Sequence, residues 1–281
     1  MGEPDDRSDV DALNQVAQEI AYRHVIENTE SDPNLPRPGG CSTLWRFMDM
    51  TQLLSLLERE SLYFPRSDEF KDPYEGSLPQ KNLEKLMRSF DIEDILEDFD
   101  EISADTIEPL MKHTFVKVQE FMKEGVFLNC WHQNPKQSAA MWEQYATKDA
   151  GLAIKTTYNN LISSFGDPSD LIYGSVTYRN YEIETIPEGV VKPFFYKRIS
   201  FDHENEFRVA TVDSNNISIG EGVGDEPKGR YIEVDLEVLL DQIYVTPDAE
   251  PWLKHLVDDV IDTYELDISV VQSDLYNDSI Q

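Results

Sequence analysis

The sequence predicts an α+β fold: a mixed, mainly antiparallel central sheet, with a split sheet left open as one form of it, plus a helical insertion and an N-terminal helical arm. Three observations predict it. From Val126 onward, short apolar runs of strand length are broken by irregular helical segments, without the regular alternation of a doubly wound parallel sheet. Between about 80 and 124 the apolar period lengthens to that of helices. Before the body, TESDPNLPRPGGCS (Thr29–Ser42) packs three prolines and two glycines into one stretch, which breaks any regular element.

In chain order, Val10, Leu13, Ala17, Ile20, Ala21 and Val25 recur at three- and four-residue steps and predict an amphipathic helix over Val10–Asn28. Residues 1–42 thus read as a helix and linker, and 43–281 as one α+β domain with its insertion at about 80–124. TLWRFM (Thr43–Met48) predicts a strand, Thr51–Glu60 a helix capped by Asp49 or Thr51, and Leu62–Pro65 a second strand. Ser67–Pro79 is a turn-rich loop, and two or three helices follow within Gln80–Glu124. Further strands are expected at Val126–His132, Gly151–Lys155, Leu171–Tyr178, Phe207–Val212, Ile217–Ile219, Tyr231–Val234 and Ile243–Val245, with helices at Lys136–Ala146, Val190–Ile199 and Ala249–Tyr264.

Charge narrows the function. With 55 acidic against 24 basic residues the net charge is −31, so non-specific binding to nucleic acid or to an anionic membrane is not expected. The chain is nevertheless 40% hydrophobic, enough for a sizeable core, so it is not read as disordered. The acids interleave with apolar residues at helical spacing, as in DIEDILEDFDE (Asp91–Glu101), and so read as solvated helix faces. That distribution resembles halophilic proteins, whose self-repulsion is screened by salt. No run approaches the roughly 18 to 20 apolar residues of a membrane span, and the opening Met1–Asp11 is acidic where a secretory signal is basic, so a cytoplasmic protein is expected.

The chemistry-bearing motifs are few. No Gly-rich phosphate loop is present; GEGVG (220–224) reads as a hairpin. The five histidines have no metal-ligand spacing and Cys41 and Cys130 are too few for a disulfide framework, so no metal is expected. Cys130 and His132, two apart on a strand, could form a thiolate and imidazole pair, although ordinary strand neighbours share that spacing. FKDPYEG (Phe70–Gly76) places Asp72 before a proline and Glu75 three residues on; a capped turn with a solvated acid explains the same residues. In NCWHQNPKQSAAMWEQY (Asn129–Tyr145), Met141 and Tyr145 share one helix face, as a buried aromatic face also would. ENEFR alternates Glu204, Glu206 and Arg208, so two carboxylates and a guanidinium are expected on one strand face, either as a site or as a rim of ion pairs.

In order, LWRF, LYFPRSDEFKDPYEG, FLNCWHQNPKQSAAMWEQYATKDAGLAI, FFYKRISFDHENEFRV and QIYVTPDAEPWLKHLV resemble the prokaryotic domain of unknown function 2971 over about Thr43–Ser273. His132 departs from that pattern, which more often has a small hydroxyl residue there. The resemblance implies a loose association with phage defence. More distantly the layout looks like ADP-ribosyltransferases, whose split sheet holds NAD in a cleft: an Arg on the first strand, a hydroxyl residue after the second and a Glu-x-Glu later. The matching positions are Arg46, Ser67 with its neighbour Arg66, and Glu204 with Glu206. That resemblance implies NAD as substrate, with Glu206 steadying an oxocarbenium-like ribose and Glu204 orienting or deprotonating an unidentified protein or nucleic-acid acceptor. Arg46 would grip the diphosphate. Arg66, Ser67, Asp72, Glu75, Tyr145, Lys197 and Arg208 complete the expected binding set, with Arg46, Arg66, Lys197 and Arg208 as a basic island in an acidic protein. A non-catalytic accessory module of a defence system, or another nucleotide- or nucleic-acid-directed enzyme, remains as an alternative.

Overall fold

A computed structural model describes residues 34–89, 104–145, 150–213 and 228–276. The expected helix at 10–28, the strand at 217–219 and the GEGVG hairpin lie outside the described residues.

The body opens with β1 (Thr43–Met48), and Asp49 then starts α1 (Met50–Arg59). Asp49 Oδ1 accepts the Gln52 N–H at 2.8 Å while Gln52 Oε1 accepts the Asp49 N–H at 3.0 Å, a reciprocal capping box. Leu53, Leu56 and Leu57 bury one face of α1, which stops where Glu60 turns left-handed at φ 45°. β2 (Ser61–Pro65), a 3₁₀ turn (Ser67–Glu69), α2 (Gln80–Ser89) and α3 (Ala104–Glu124) follow, so the helical insertion falls between β2 and β3 (Val126–Gln133). Next come α4 (Ala139–Tyr145), β4 (Leu152–Thr157), α5 (Tyr158–Ser164), β5 (Ile172–Ser175) and β6 (Thr177–Arg179). A second 3₁₀ turn (Lys192–Phe195), β7 (Tyr196–Arg198), a third 3₁₀ turn (Ile199–Glu204) and β8 (Glu206–Val212) lead to β9 (Gly229–Glu233), α6 (Leu236–Leu239), β10 (Gln242–Val245), α7 (Pro251–Thr263) and β11 (Ser269–Gln272).

Seven strands form one sheet in the order β11-β10-β4-β1-β3-β8-β5, antiparallel throughout except for the parallel β10–β11 pair. The fold is α+β. Two two-stranded sheets, β2–β9 antiparallel and β6–β7 parallel, accompany it. One face of the central strands is the core, where Leu44, Trp131, Phe207 and Ile243 pack with Leu53 of α1 and Val257 and Ile261 of α7. Among the described residues no helix is long and apolar enough to cross a membrane.

Two expected elements are corrected. The helix expected over Val190–Ile199 is the second 3₁₀ turn and β7, because Pro193 at the start and the β-favouring Phe-Phe-Tyr that follows do not sustain an α-helix. The single strand expected over Leu171–Tyr178 is two, β5 and β6, which join different sheets on either side of Val176.

Candidate functional site

The ladder between β1 and β3 registers only Leu44 with Gln133 and Trp45 with His132, whereas β1 runs along β4 for six pairs. Beyond Trp45 a side chain takes over: Arg46 Nη1 donates to the Cys130 carbonyl at 2.9 Å. A cleft of about 790 Å³ opens here, walled by β1, β3, α4, the FKDPYEG loop and the segment from Lys197 to Glu206. Its aromatic wall includes Trp45, Phe47, Trp131 and Phe201.

β3 and β8 bring the polar groups together. Their antiparallel register sets Cys130 opposite Arg208 and His132 opposite Glu206, and cross-strand partners share a face. The third 3₁₀ turn ends at Asn205 in the left-handed region, φ 38°, so Glu204 is not on the strand as expected. The reversal nevertheless turns it back to its neighbour: Lys197 Nζ donates to Glu206 Oε1 at 2.7 Å and also to Glu204 Oε2. Tyr145 Oη donates to Glu204 Oε1 at 2.8 Å and Gln144 Nε2 to the same oxygen at 3.2 Å, so α4 reaches the pair across the cleft. Arg208, fully buried, donates Nε to Glu206 Oε2 at 2.7 Å and Nη2 to Glu75 Oε2 at 3.1 Å.

The two glutamates are held at different protonation tendencies. Burial works against a charged Glu206, but Arg208 and Lys197 outweigh it and hold the carboxyl well below the usual range. Burial raises Glu204, and the hydrogen bond and negative charge of Glu206 raise it further. Burial likewise opposes charge on Lys197, yet the Glu206 charge and the bonds to both glutamates raise it. Tyr145 is raised by burial and then by Glu204, and remains a donor.

FKDPYEG forms a capped turn whose acid faces inward. Asp72 Oδ1 accepts the Tyr74 N–H at 3.0 Å and Arg198 Nη2 at 2.8 Å, and Glu75 is only 3% exposed, against Arg208. Arg46, Asp72, Glu75, Tyr145, Lys197, Glu204 and Glu206 therefore line one cleft, with Arg208 beneath it. Arg66 and Ser67 do not line it. Ser67 Oγ is buried and donates to the Lys123 carbonyl at 2.7 Å, tying its turn to α3, and Arg66 spends Nε and Nη2 on both oxygens of Asp68. The hydroxyl position of the transferase-like layout is thus a structural tie. No protein-family model matches this chain, and no curated protein matches it.

The expected basic island is also corrected. Four basic lining residues (Arg46, Lys71, Lys197, Arg198) meet five acidic ones (Glu69, Asp72, Glu75, Glu204, Glu206), so the cleft is close to balanced in a strongly negative protein. Within it Arg46 stands apart. Its charge is disfavoured by burial, it contacts the Cys130 carbonyl and the Trp131 ring at 6.0 Å, and among the described residues it pairs with no carboxylate. The Cys130–His132 pair is not a nucleophilic dyad: burial pushes the thiol up to about 12, and His132 Nδ1 is committed to the Glu204 carbonyl at 2.6 Å. Among the described residues no group of three or more His, Cys, Asp or Glu could hold a metal ion. Sequence reasoning missed Arg198, Gln144 and the aromatic wall. Arg198 adjoins Lys197 and Gln144 adjoins Tyr145, and both members of each pair line the cleft.

Proposed function

We propose that the cleft binds a dinucleotide of the NAD type and breaks its bond to nicotinamide, passing ADP-ribose to an acceptor or to water. The observation that carries this reading is the Glu204–Glu206 pair, joined through Lys197 on a cleft wall, with Glu204 raised and Glu206 lowered from the ordinary carboxylate value. Adjacent carboxyls driven apart in this way divide into an acid/base group and a fixed charge. Nicotinamide departs with the bonding electron pair, and the ionised Glu206 steadies the positive ribose that results. Glu204, once ionised, accepts the proton of the attacking hydroxyl as the new bond forms. Arg46, which pairs with no carboxylate among the described residues, suits the diphosphate. A volume of about 790 Å³ lies within the range of small-molecule sites.

A binding-only reading is favoured by a different observation: both Glu206 oxygens already accept cations, Oε1 from Lys197 and Oε2 from Arg208. In that case the protein is a cytoplasmic accessory module, as the resemblance to the domain of unknown function 2971 implies for phage defence, holding a nucleotide without turnover. Release of nicotinamide from labelled NAD in molar KCl, with and without cell extract as a source of acceptor, separates the two. Release by wild type supports transfer or cleavage. Binding without release leaves the module, and neither binding nor release removes NAD as the ligand.

A further inference from the structure

Among the described residues, three buried polar atoms of the cleft have no hydrogen-bond partner: Asp72 Oδ2, Arg198 Nε and His132 Nε2. The third is the most constrained. His132 is 3% exposed and sits near the centre of the sheet, paired with Trp45 on one side and Glu206 on the other. Its Nδ1 lies 2.6 Å from the Glu204 carbonyl oxygen, which can only accept, so Nδ1 carries the proton. In the neutral ring Nε2 is then a bare acceptor, and a buried acceptor without a partner is costly.

We propose that His132 Nε2 is the ligand-reading acceptor of the cleft, taking a hydrogen bond from an amide or aromatic-amine N–H on a flat group of a nucleotide. The surroundings select that class. Phe47 lies 6.4 Å from the imidazole, ring centre to ring centre, and Trp142 packs edge-on to Phe47 at 5.0 Å, so the acceptor stands in an aromatic setting that suits a planar group. Burial lowers the His132 pKa, with the Glu204 carbonyl and the Glu206 charge acting the other way and His203 adding to the lowering, so the ring stays neutral. A neutral acceptor distinguishes a base or carboxamide bearing N–H groups from the anionic end of the same ligand, which Arg46 suits. This deepens the nucleotide reading of the cleft and rests on it, but it does not require NAD or turnover. His132 acts here as a positioning residue.

The test uses the full chain in molar KCl with ¹⁵N-labelled histidine. In the free protein at neutral pH, His132 is expected as the neutral Nδ1–H tautomer with Nε2 unprotonated; a protonated Nε2 overturns the inference without any ligand. NAD, nicotinamide mononucleotide, adenosine monophosphate and inorganic pyrophosphate are then titrated in. An N–H-bearing nucleotide should shift the Nε2 resonance, and pyrophosphate, which has no N–H, should leave it unmoved. His132→Asn can keep a donor for the Glu204 carbonyl while deleting the acceptor, and should weaken that nucleotide about tenfold, the scale of one lost hydrogen bond. His132→Gln, which can reach the Nε2 position, should recover part of the loss. If no member of the panel moves Nε2, or if His132→Asn binds as wild type does, the inference fails. Nicotinamide release with an unmoved Nε2 would overturn this inference and leave the proposed activity intact. An Nε2 shift with adenosine monophosphate but no binding of NAD would do the reverse.

Discussion

Arg208 donates Nε to Glu206 Oε2 at 2.7 Å because the two residues are two apart on β8 and leave the same face of the strand. The far end of the same guanidinium holds both oxygens of Glu75, so one side chain ties the sheet to the FKDPYEG loop. All three residues are buried, which makes the cost of breaking the set asymmetric. Arg208→Met should lose about 3–5 kcal/mol, since it leaves Glu75 as an uncompensated buried charge. The double change Arg208→Met with Glu75→Gln should be less unstable than the single one. Urea unfolding in molar KCl measures both; a single variant within about 0.5 kcal/mol of wild type, the range of ordinary surface changes, would mean that the network contributes no stability.

Gly76 keeps that loop closed. It sits at φ 63°, where a Cβ is disfavoured, and a Cβ there would run into the Phe194 ring. Phe194 cannot yield cheaply, because it is 1% exposed and its carbonyl accepts from Arg208 Nη1. Gly76→Ala should therefore cost more than the roughly 1–2 kcal/mol of left-handed strain alone, and it should weaken ligand binding by displacing Glu75. Unfolding and nucleotide titration on the same sample check both. Gly166→Ala is the control: φ is 68°, but beyond its two chain neighbours no atom of the described residues lies within 4 Å of the new Cβ, so strain acts there without a clash.

The surface acids predict a salt requirement. At −31 the chain repels itself, and the screening length grows from about 3 Å at 1 M salt to about 10 Å at 0.1 M. The melting temperature should rise with KCl over that range. The cleft network, buried and charge-balanced, should respond weakly, so the increase should be similar in wild type and Glu75→Gln. A melting temperature unaffected by KCl would remove the halophilic reading.

What was legible in the sequence follows from how local each signal is. The Asp49 cap, the turn at Asp72 and the alternation of Glu206 with Arg208 are short-range patterns, and each stands where its residue types require. The helix expected across Val190–Ile199 fails because its apolar residues are β-favouring aromatics, whose buried packing, not their spacing, sets the backbone. Ser67 illustrates the other limit. A hydroxyl after the second strand matched an expected layout, but its direction was decided by the Lys123 carbonyl of α3, 56 residues away. His132 looked like a departure from a pattern, and its isolation became visible only once Glu204 was placed beside Nδ1.

Stability should depend on pH through the cleft pair with opposite signs. Glu206 has a lowered folded pKa, so its contribution is complete above the unfolded glutamate value of about 4.3 and is lost as pH falls through the folded value. Glu204 has a raised one, so its contribution is present below the unfolded value and is lost as pH rises through the folded value. Wild type should thus exceed Glu206→Gln most at neutral pH, with the gap narrowing below about pH 4. Glu204→Gln should show the smaller deficit at neutral pH. Urea midpoints across that range test it, and a gap for Glu206→Gln that widens in acid would contradict the ion-pair account.

The same division predicts the kinetics. If Glu206 is a fixed charge and Glu204 a proton acceptor, Glu206→Gln should lower kcat by about 10²-fold at every pH, because it deletes a charge that acts only in the transition state. Glu204→Gln should instead abolish the limb of the pH profile that reports ionisation of the acid/base group. Tyr145→Phe sharpens the assignment. It removes a hydrogen bond of 2.8 Å to Glu204 Oε1, and a donor to a carboxylate favours the charged form, so its loss should move that limb to higher pH. Arg46→Ala, which touches neither glutamate, should raise KM or Kd for the nucleotide about tenfold or more with kcat nearly unchanged. Nicotinamide release measured across pH for the four variants gives all these values. A Tyr145→Phe profile that superimposes on wild type, alongside an inactive Glu204→Gln, would mean that the limb belongs to another group and that Glu204 serves only to hold Lys197.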